Sequence, residues 1–308
     1  MPSMLRSIVL LVLLSVSLKS VLALGAQPLL EDKQWNHGAE DCAKDEGPPI
    51  EVYAYSETSF ILRQNMCLSF EAPFMYVLLG DDSALLVDTG ASENSTEFPL
   101  YETVKSLIGE KPLLVVHSHG HGDHRGADIQ FEGVEGVTLV RAEKDAVMNA
   151  LAFSDWPEGE GVIQLGGREL TVIPIPGHQE ESVAVYDPQT KWLLTGDTVY
   201  PGLIYVKNWQ DYRDSIARLA RFAEQRDVSL VLGSHIEATH RQGEYYPIGA
   251  TYQPEEAPLP IRPEVLATID AQLQQLPKAT EVELARLRIV PMSLMQRSLS
   301  DVARWLRQ

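Results

Sequence analysis

Seven consecutive residues, His119-Gly120-His121-Gly122-Asp123-His124-Arg125, constrain this chain more than any other stretch. They place three histidines and an aspartate within six positions, directly after the apolar run Leu113-Leu114-Val115-Val116. That run reads as a buried strand, so the polar residues belong to the loop leaving it. The two interleaved glycines permit tight backbone geometry and leave room above it. Alternate residues of an extended segment point the same way, so His119 and His121 can grip one ion. Asp123 and His124 stand one step further along and can reach a second. Neutral imidazoles with an added carboxylate suit zinc, and also iron or manganese.

Three later apolar runs end in residues of the same chemistry. They are Ile175-Pro176-Gly177-His178, Leu194-Thr195-Gly196-Asp197-Thr198 and Leu232-Gly233-Ser234-His235. The pattern His-x-His-x-Asp-His followed in order by His, Asp and His resembles the metal signature of the metallo-β-lactamase fold superfamily, over about residues 50 to 240. The resemblance implies an α/β fold, a four-layer αβ/βα sandwich. It assigns His119, His121 and His178 to a first divalent ion, and Asp123, His124 and His235 to a second, with Asp197 bridging. Two divalent ions, zinc in the first instance, would share a hydroxide and polarise a carbonyl, which is hydrolysis of an activated acyl bond. The bond could be that of an ester, thioester, lactone or β-lactam.

Asp88, in Val87-Asp88-Thr89-Gly90, reads either as a cap or as a carboxylate that orients a metal ligand, and the resemblance favours the second. His117 is open between supporting the metal loop and being an ordinary loop histidine, whereas His37 and His240 read as surface residues. The catalytic candidates are Asp123, which would hold a metal and orient the nucleophile, and Tyr200. Asp197-Thr198-Val199-Tyr200 is similar to acyl-homoserine lactonases, in which the tyrosine hydroxyl assists at the carbonyl oxygen; the alternative for Tyr200 is a packing aromatic. The Thr-Gly-Asp-Thr context looks more like glyoxalase-II-type thioesterases, although no basic cluster is placed to hold glutathione carboxylates. Two alternatives accompany the hydrolase: a mononuclear iron oxygenase of the same fold, and a non-catalytic binding protein.

Residues 1–26 carry Arg6, an apolar run from Ile8 to Leu14 and small residues at Ala23, Gly25 and Ala26, the pattern of a cleavable signal peptide. The run is short for a retained membrane anchor. Export to the periplasm or medium is therefore expected, with no stable membrane association after cleavage. Cleavage would remove two of the 25 basic residues and none of the 43 acidic ones, leaving a formal charge of −20. Such a surface repels phosphate backbones, so a small molecule rather than nucleic acid is the expected substrate. The two cysteines, Cys42 and Cys67, are either one disulfide of an exported protein or two unpaired thiols.

The remaining pattern divides the chain into an extended polar arm at 27–49, a catalytic domain at 50–260 and a helical C-terminal region at 261–308. Strands are expected near 51–55, 59–62, 74–79, 84–87, 113–116, 137–140, 162–165, 170–175, 183–186, 192–194 and 228–232. Helices are expected at 97–109, 144–153, 209–225, 263–276 and 299–307, with a Tyr/Pro/Gly-rich loop at 239–260.

Overall fold

Short apolar runs separated by tight turns build the first sheet in chain order, here in a computed structural model that describes residues 29–298. Strands β1 (Ile50–Ser56), β2 (Ser59–Gln64), β3 (Phe74–Leu79) and β4 (Ala84–Val87) form an antiparallel meander. Helix α1 (Leu100–Ile108) then crosses over, so β5 (Leu113–Val116) lies parallel to β4, and β6 (Val137–Leu139) parallel to β5. Helix α2 (Lys144–Ala150) leads to the second half.

There β7 (Gly161–Gln164), β8 (Glu169–Pro174), β9 (Val183–Asp187) and β10 (Trp192–Gly196) form a second meander. Strand β11 (Leu203–Val206) leaves this sheet. The long helix α3 (Trp209–Gln225) returns the chain to β12 (Leu230–Gly233), parallel to β10. Helix α4 (Glu264–Gln274) packs on α3, and β13 (Val282–Glu283) and β14 (Arg288–Pro291) join β11 in a small third sheet, ordered β11-β14-β13.

Side chains of successive strand residues point to opposite faces, and this alternation sorts the core into layers. Ile61, Tyr76, Leu78, Leu85 and Val87 face Val172, Val185, Trp192, Leu194 and Leu232 of the other sheet. Their neighbours Leu62, Met75, Val77 and Leu86 face outward onto Leu100, Val104 and Ile108 of α1. On the far side, Ile173, Ala184, Leu193 and Val231 meet Ile216 and Leu219 of α3 and Leu266 and Ile269 of α4. Helix, sheet, sheet and helix are thus four layers with three apolar seams, the sandwich expected from the sequence. Every residue of β2, β3, β9, β10 and β12 is buried, because both faces of these strands are covered. Helix α3 falls where its apolar spacing put it, and the Asn208 side chain caps it by accepting from the Asp211 amide.

Three segments differ from the sequence expectation. The arm before β1 is not simply extended: it makes 3-10 turns at Leu30–Asp32 and Cys42–Lys44 and buries Leu30 and Trp35 in the core, Trp35 edge-on against Phe74 and Tyr53. Cys42 and Cys67 are joined in a disulfide that ties this arm to the loop after β2. The C-terminal region is not wholly helical. After α4 it supplies β13 and β14, and β14 satisfies the backbone of β11, a strand whose Leu-Ile-Tyr-Val run is too short to stand out by periodicity. The expected signal peptide and the helix at 299–307 lie outside the described residues. Among the described residues no helix is long and apolar enough to cross a membrane.

Candidate metal centre

Strands β4 and β5 are parallel, as are β10 and β12, and two antiparallel steps give β8 the direction of β10. Asp88, the 117–124 loop, His178, Asp197 and His235 all follow the C-terminal ends of these strands, so every candidate ligand emerges at the same end of the sandwich. All seven come together. The donor atoms of His119, His121, His178 and Asp197 lie within 4.8 Å of one another, as do those of Asp123, His124, Asp197 and His235.

Asp197 belongs to both groups through different oxygens. Its Oδ2 lies 3.7 Å from Nε2 of both His119 and His178. Its Oδ1 lies 3.5 Å from His124 Nε2 and 3.3 Å from His235 Nε2. Asp123 Oδ2 stands 3.2 Å from each of those last two nitrogens. Gly196 allows this placement, with φ of 52° and a Cβ position only 2.6 Å from Ser118 Cβ. At Gly120 a Cβ would meet Glu181 Oε1 at 2.7 Å, while the Gly120 amide donates to that oxygen.

Hydrogen bonds behind the rings fix which nitrogens face the centre. His178 Nδ1 donates to the Tyr205 carbonyl at 2.7 Å and His235 Nδ1 to the Glu71 carbonyl at 2.8 Å. His124 Nδ1 donates to Asp88 Oδ2 at 2.9 Å. In the neutral ring each inward Nε2 is therefore the nitrogen left free to ligate. Asp88 also accepts from the Ser118 amide and hydroxyl and from Ser234, and so braces the loops carrying His119, His124 and His235. His117 is buried between the Val140 carbonyl and Asp128, which Thr89 also bonds, and supports the metal loop from beneath. His37 and His240 are exposed.

These donors fit divalent ions. The inward nitrogens stand nose to nose, 2.9 Å from His119 Nε2 to His121 Nδ1 and 3.3 Å from His124 Nε2 to His235 Nε2. Facing lone pairs at such distances repel unless a proton or a cation lies between them. Asp197 Oδ1 is buried with no hydrogen-bond partner, an orphan acceptor of the kind a cation satisfies. In the first group, burial keeps the imidazoles neutral: it lowers His119 and His178, and with His178 alongside takes His121 down to about 3. In the second group burial would lower His235, but Asp197 and Asp123 outweigh it and lift it to about 10. His124 is likewise raised against burial by Asp123, Asp197 and Asp88. Burial would raise Asp123 and Asp197, yet the neighbouring histidines hold both well below the carboxylate range. An ion entering the second group displaces protons as it binds.

The centre opens into a cavity of about 190 Å³, walled by Phe70, Glu71, Tyr205, Glu237, Ile248 and Met292 among others. Burial raises the Glu71 carboxyl to about 7, and it raises Glu237 as well. No sequence motif announced this wall, because it comes from loops that only the tertiary fold brings to the ligands.

Tyr200 also lines the cavity, but its hydroxyl donates to the Leu203 carbonyl at 2.6 Å and lies 3.2 Å from Glu237. The proton that a catalytic tyrosine would offer a substrate already has an acceptor in this arrangement, which favours the packing alternative. Tyr200→Phe should therefore change kcat less than about threefold and cost about 1 kcal/mol of stability for the lost hydrogen bond. A fall of about a hundredfold, typical of a lost oxyanion donor, would restore it to the mechanism.

Comparisons with known proteins agree with this geometry. The sequence profile of the metallo-beta-lactamase superfamily matches residues 69–235, more than half of the chain. The human acyl-coenzyme A thioesterase MBLAC2 is 26% identical over 231 residues, covering 60% of this chain and 82% of the relative. A hydroxyacylglutathione hydrolase of Anaeromyxobacter dehalogenans is 28% identical over 130 residues, covering 41% of this chain and 46% of the relative. A metallo-beta-lactamase crystal structure from Hirschia baltica superposes with a TM-score of 0.51 at 17% identity, covering 73% of this chain and 98% of that one; this likeness concerns the fold alone. With the profile spanning the metal loop through His235, the chain belongs to the metallo-beta-lactamase superfamily.

Proposed function

We propose that the protein is an exported, dinuclear metallo-hydrolase that cleaves an activated acyl bond in a small molecule. The observation that carries this reading is the shared carboxylate, Asp197, which turns one oxygen to each of two His/Asp groups. His119, His121 and His178 would hold one ion and Asp123, His124 and His235 the other. Such a pair supplies Lewis acidity and lowers the pKa of water. The chain's own part is to fix the ligand nitrogens through Asp88, Tyr205 and Glu71, and to present the centre to a cavity that admits one end of a substrate. Ligand cavities that enclose a drug-sized molecule run to roughly 300–1,000 Å³, so this smaller one would enclose the acyl portion rather than a whole cofactor ester. The printed names of the relatives, an acyl-coenzyme A thioesterase and a hydroxyacylglutathione hydrolase, support acyl hydrolysis as the reaction class. Export is supported by the signal-type N-terminus and by the Cys42–Cys67 disulfide, a bond that persists in oxidising compartments.

Protein reconstituted separately with zinc, manganese and iron should bind two ions per chain by elemental analysis. It should then turn over at least one member of a panel of lactones, thioesters, aryl esters and β-lactams. A stoichiometry held at one or zero under excess metal would end the dinuclear reading. Oxygen consumption by an iron-loaded, single-ion form would replace hydrolysis with oxygenation.

A further inference from the structure

The wall of the cavity narrows the substrate further, in an inference that rests on the hydrolase reading. Two acidic side chains, Glu71 and Glu237, line the space beside the metal ligands. Glu237 is held there by the Leu203 amide, which donates to it at 2.7 Å. Among the described residues no lysine or arginine lines the cavity to answer them. Apart from the metal-ligand candidates and Gln253, the rest of the wall is apolar or aromatic, and its rim leaves Phe70 at 40% and Ile248 at 72% exposed. Large apolar side chains left bare at the mouth of a cavity are a surface for an apolar ligand arm. An anionic group placed beside Glu71 and Glu237, away from the metal ligands, would lose hydration without gaining a cationic side chain there, and would meet two carboxyl groups.

We infer that the cavity selects apolar acyl substrates that are uncharged, or positively charged at the end meeting Glu71 and Glu237, and turns anionic ones away. Glu71 is a specificity-determining residue in this assignment, and Phe70 and Ile248 guide the apolar arm.

The test uses three esters of equal length and one leaving group: p-nitrophenyl hexanoate, its amino-terminated analogue and the mono-ester of adipate, with zinc-reconstituted full-length protein at pH 8. The neutral and cationic esters should exceed the anionic one in kcat/KM by at least about tenfold, the scale of a like charge met in a partly desolvated site. Glu71→Gln should shrink that ratio at least about threefold, since it removes a charge and keeps the shape. The same protein is titrated calorimetrically with cysteamine, mercaptoethanol and mercaptopropionate, thiols that differ in charge and need no turnover. Mercaptopropionate should bind most weakly. Cleavage that favours the adipate ester would overturn the selectivity while leaving hydrolysis intact. Loss of all ester turnover with the thiol order preserved would overturn hydrolysis while leaving the selectivity intact. Equal or tighter binding of mercaptopropionate, or a ratio untouched by Glu71→Gln, would remove Glu71 as its source.

Discussion

Asp197→Ala is expected to lower kcat/KM on any turned-over ester by at least about a thousandfold, beyond the hundred- to thousandfold typical of losing a single oxyanion donor. The reason is that one side chain serves both halves of the centre. Oδ2 faces His119 and His178, and Oδ1 faces His124 and His235, so on the proposed dinuclear reading alanine would take a ligand from each ion at once. It also removes the carboxylate that most strongly raises His235, which returns that imidazole towards the neutral form while the four facing nitrogens keep their mutual repulsion. Asp123→Ala removes a ligand from the second group only, so it should release one ion and retain the other. Metal analysis and circular dichroism on both variants separate these outcomes from misfolding. Two bound ions and near-wild-type kcat in Asp197→Ala would show that the carboxylate does not bridge.

Much of this site was legible because its chemistry is compressed. His119 to His124 hold four donors in six residues, and their placement after an apolar strand leaves little else for them to do. His178, Asp197 and His235 were legible through the family resemblance read in chain order; each sits where an apolar run stops, and in a sandwich with strands of like direction those stops share one end. Helix α3 was readable to its ends because 17 residues give several turns of apolar spacing. Strands β11 and β14 have four residues each, and their pairing joins segments some eighty positions apart. Local pattern carries no trace of such a partner. Leu30 ends a run of only two leucines and Trp35 stands alone between Gln34 and Asn36, so the docking of the arm was equally invisible, and Glu71 and Glu237 looked like ordinary loop acids. Tyr200 shows the converse limit: spacing from Asp197 left a catalytic and a packing role open, and only the tertiary fold shows its hydroxyl on the Leu203 carbonyl.

The two halves of the sandwich also depend on a residue with no part in the chemistry. Arg168, 3% exposed, precedes β8 and reaches across to the first sheet. Its guanidinium donates to both oxygens of Asp187, to the Thr58 and Leu79 carbonyls and to the Ser59 hydroxyl. Asp187 is fully buried and also accepts from the Thr190 amide and hydroxyl. Burial alone would raise this carboxyl, but the bonds from Arg168 and Thr190 prevail and lower it. Arg168→Ala would strip a buried charge of its partner and leave two carbonyls without donors, which costs about 3–5 kcal/mol, or on the order of 10 °C in Tm for a domain this size. The pH dependence follows from the signs. In the wild type a depressed carboxyl contributes stability above the ordinary carboxylate range and loses it as pH falls through the folded value. In the variant the unpaired carboxyl is raised by burial, so its folded state gains from taking up a proton. The deficit between variant and wild type should therefore be largest near neutral pH and shrink towards pH 4. Urea titrations across that range measure it, and Arg168→Met with Asp187→Leu, which removes both charges together, should recover part of the loss. A single-variant cost below about 1 kcal/mol, the range of exposed ion pairs, would mean that water replaces the arginine and that the sheets do not rely on it.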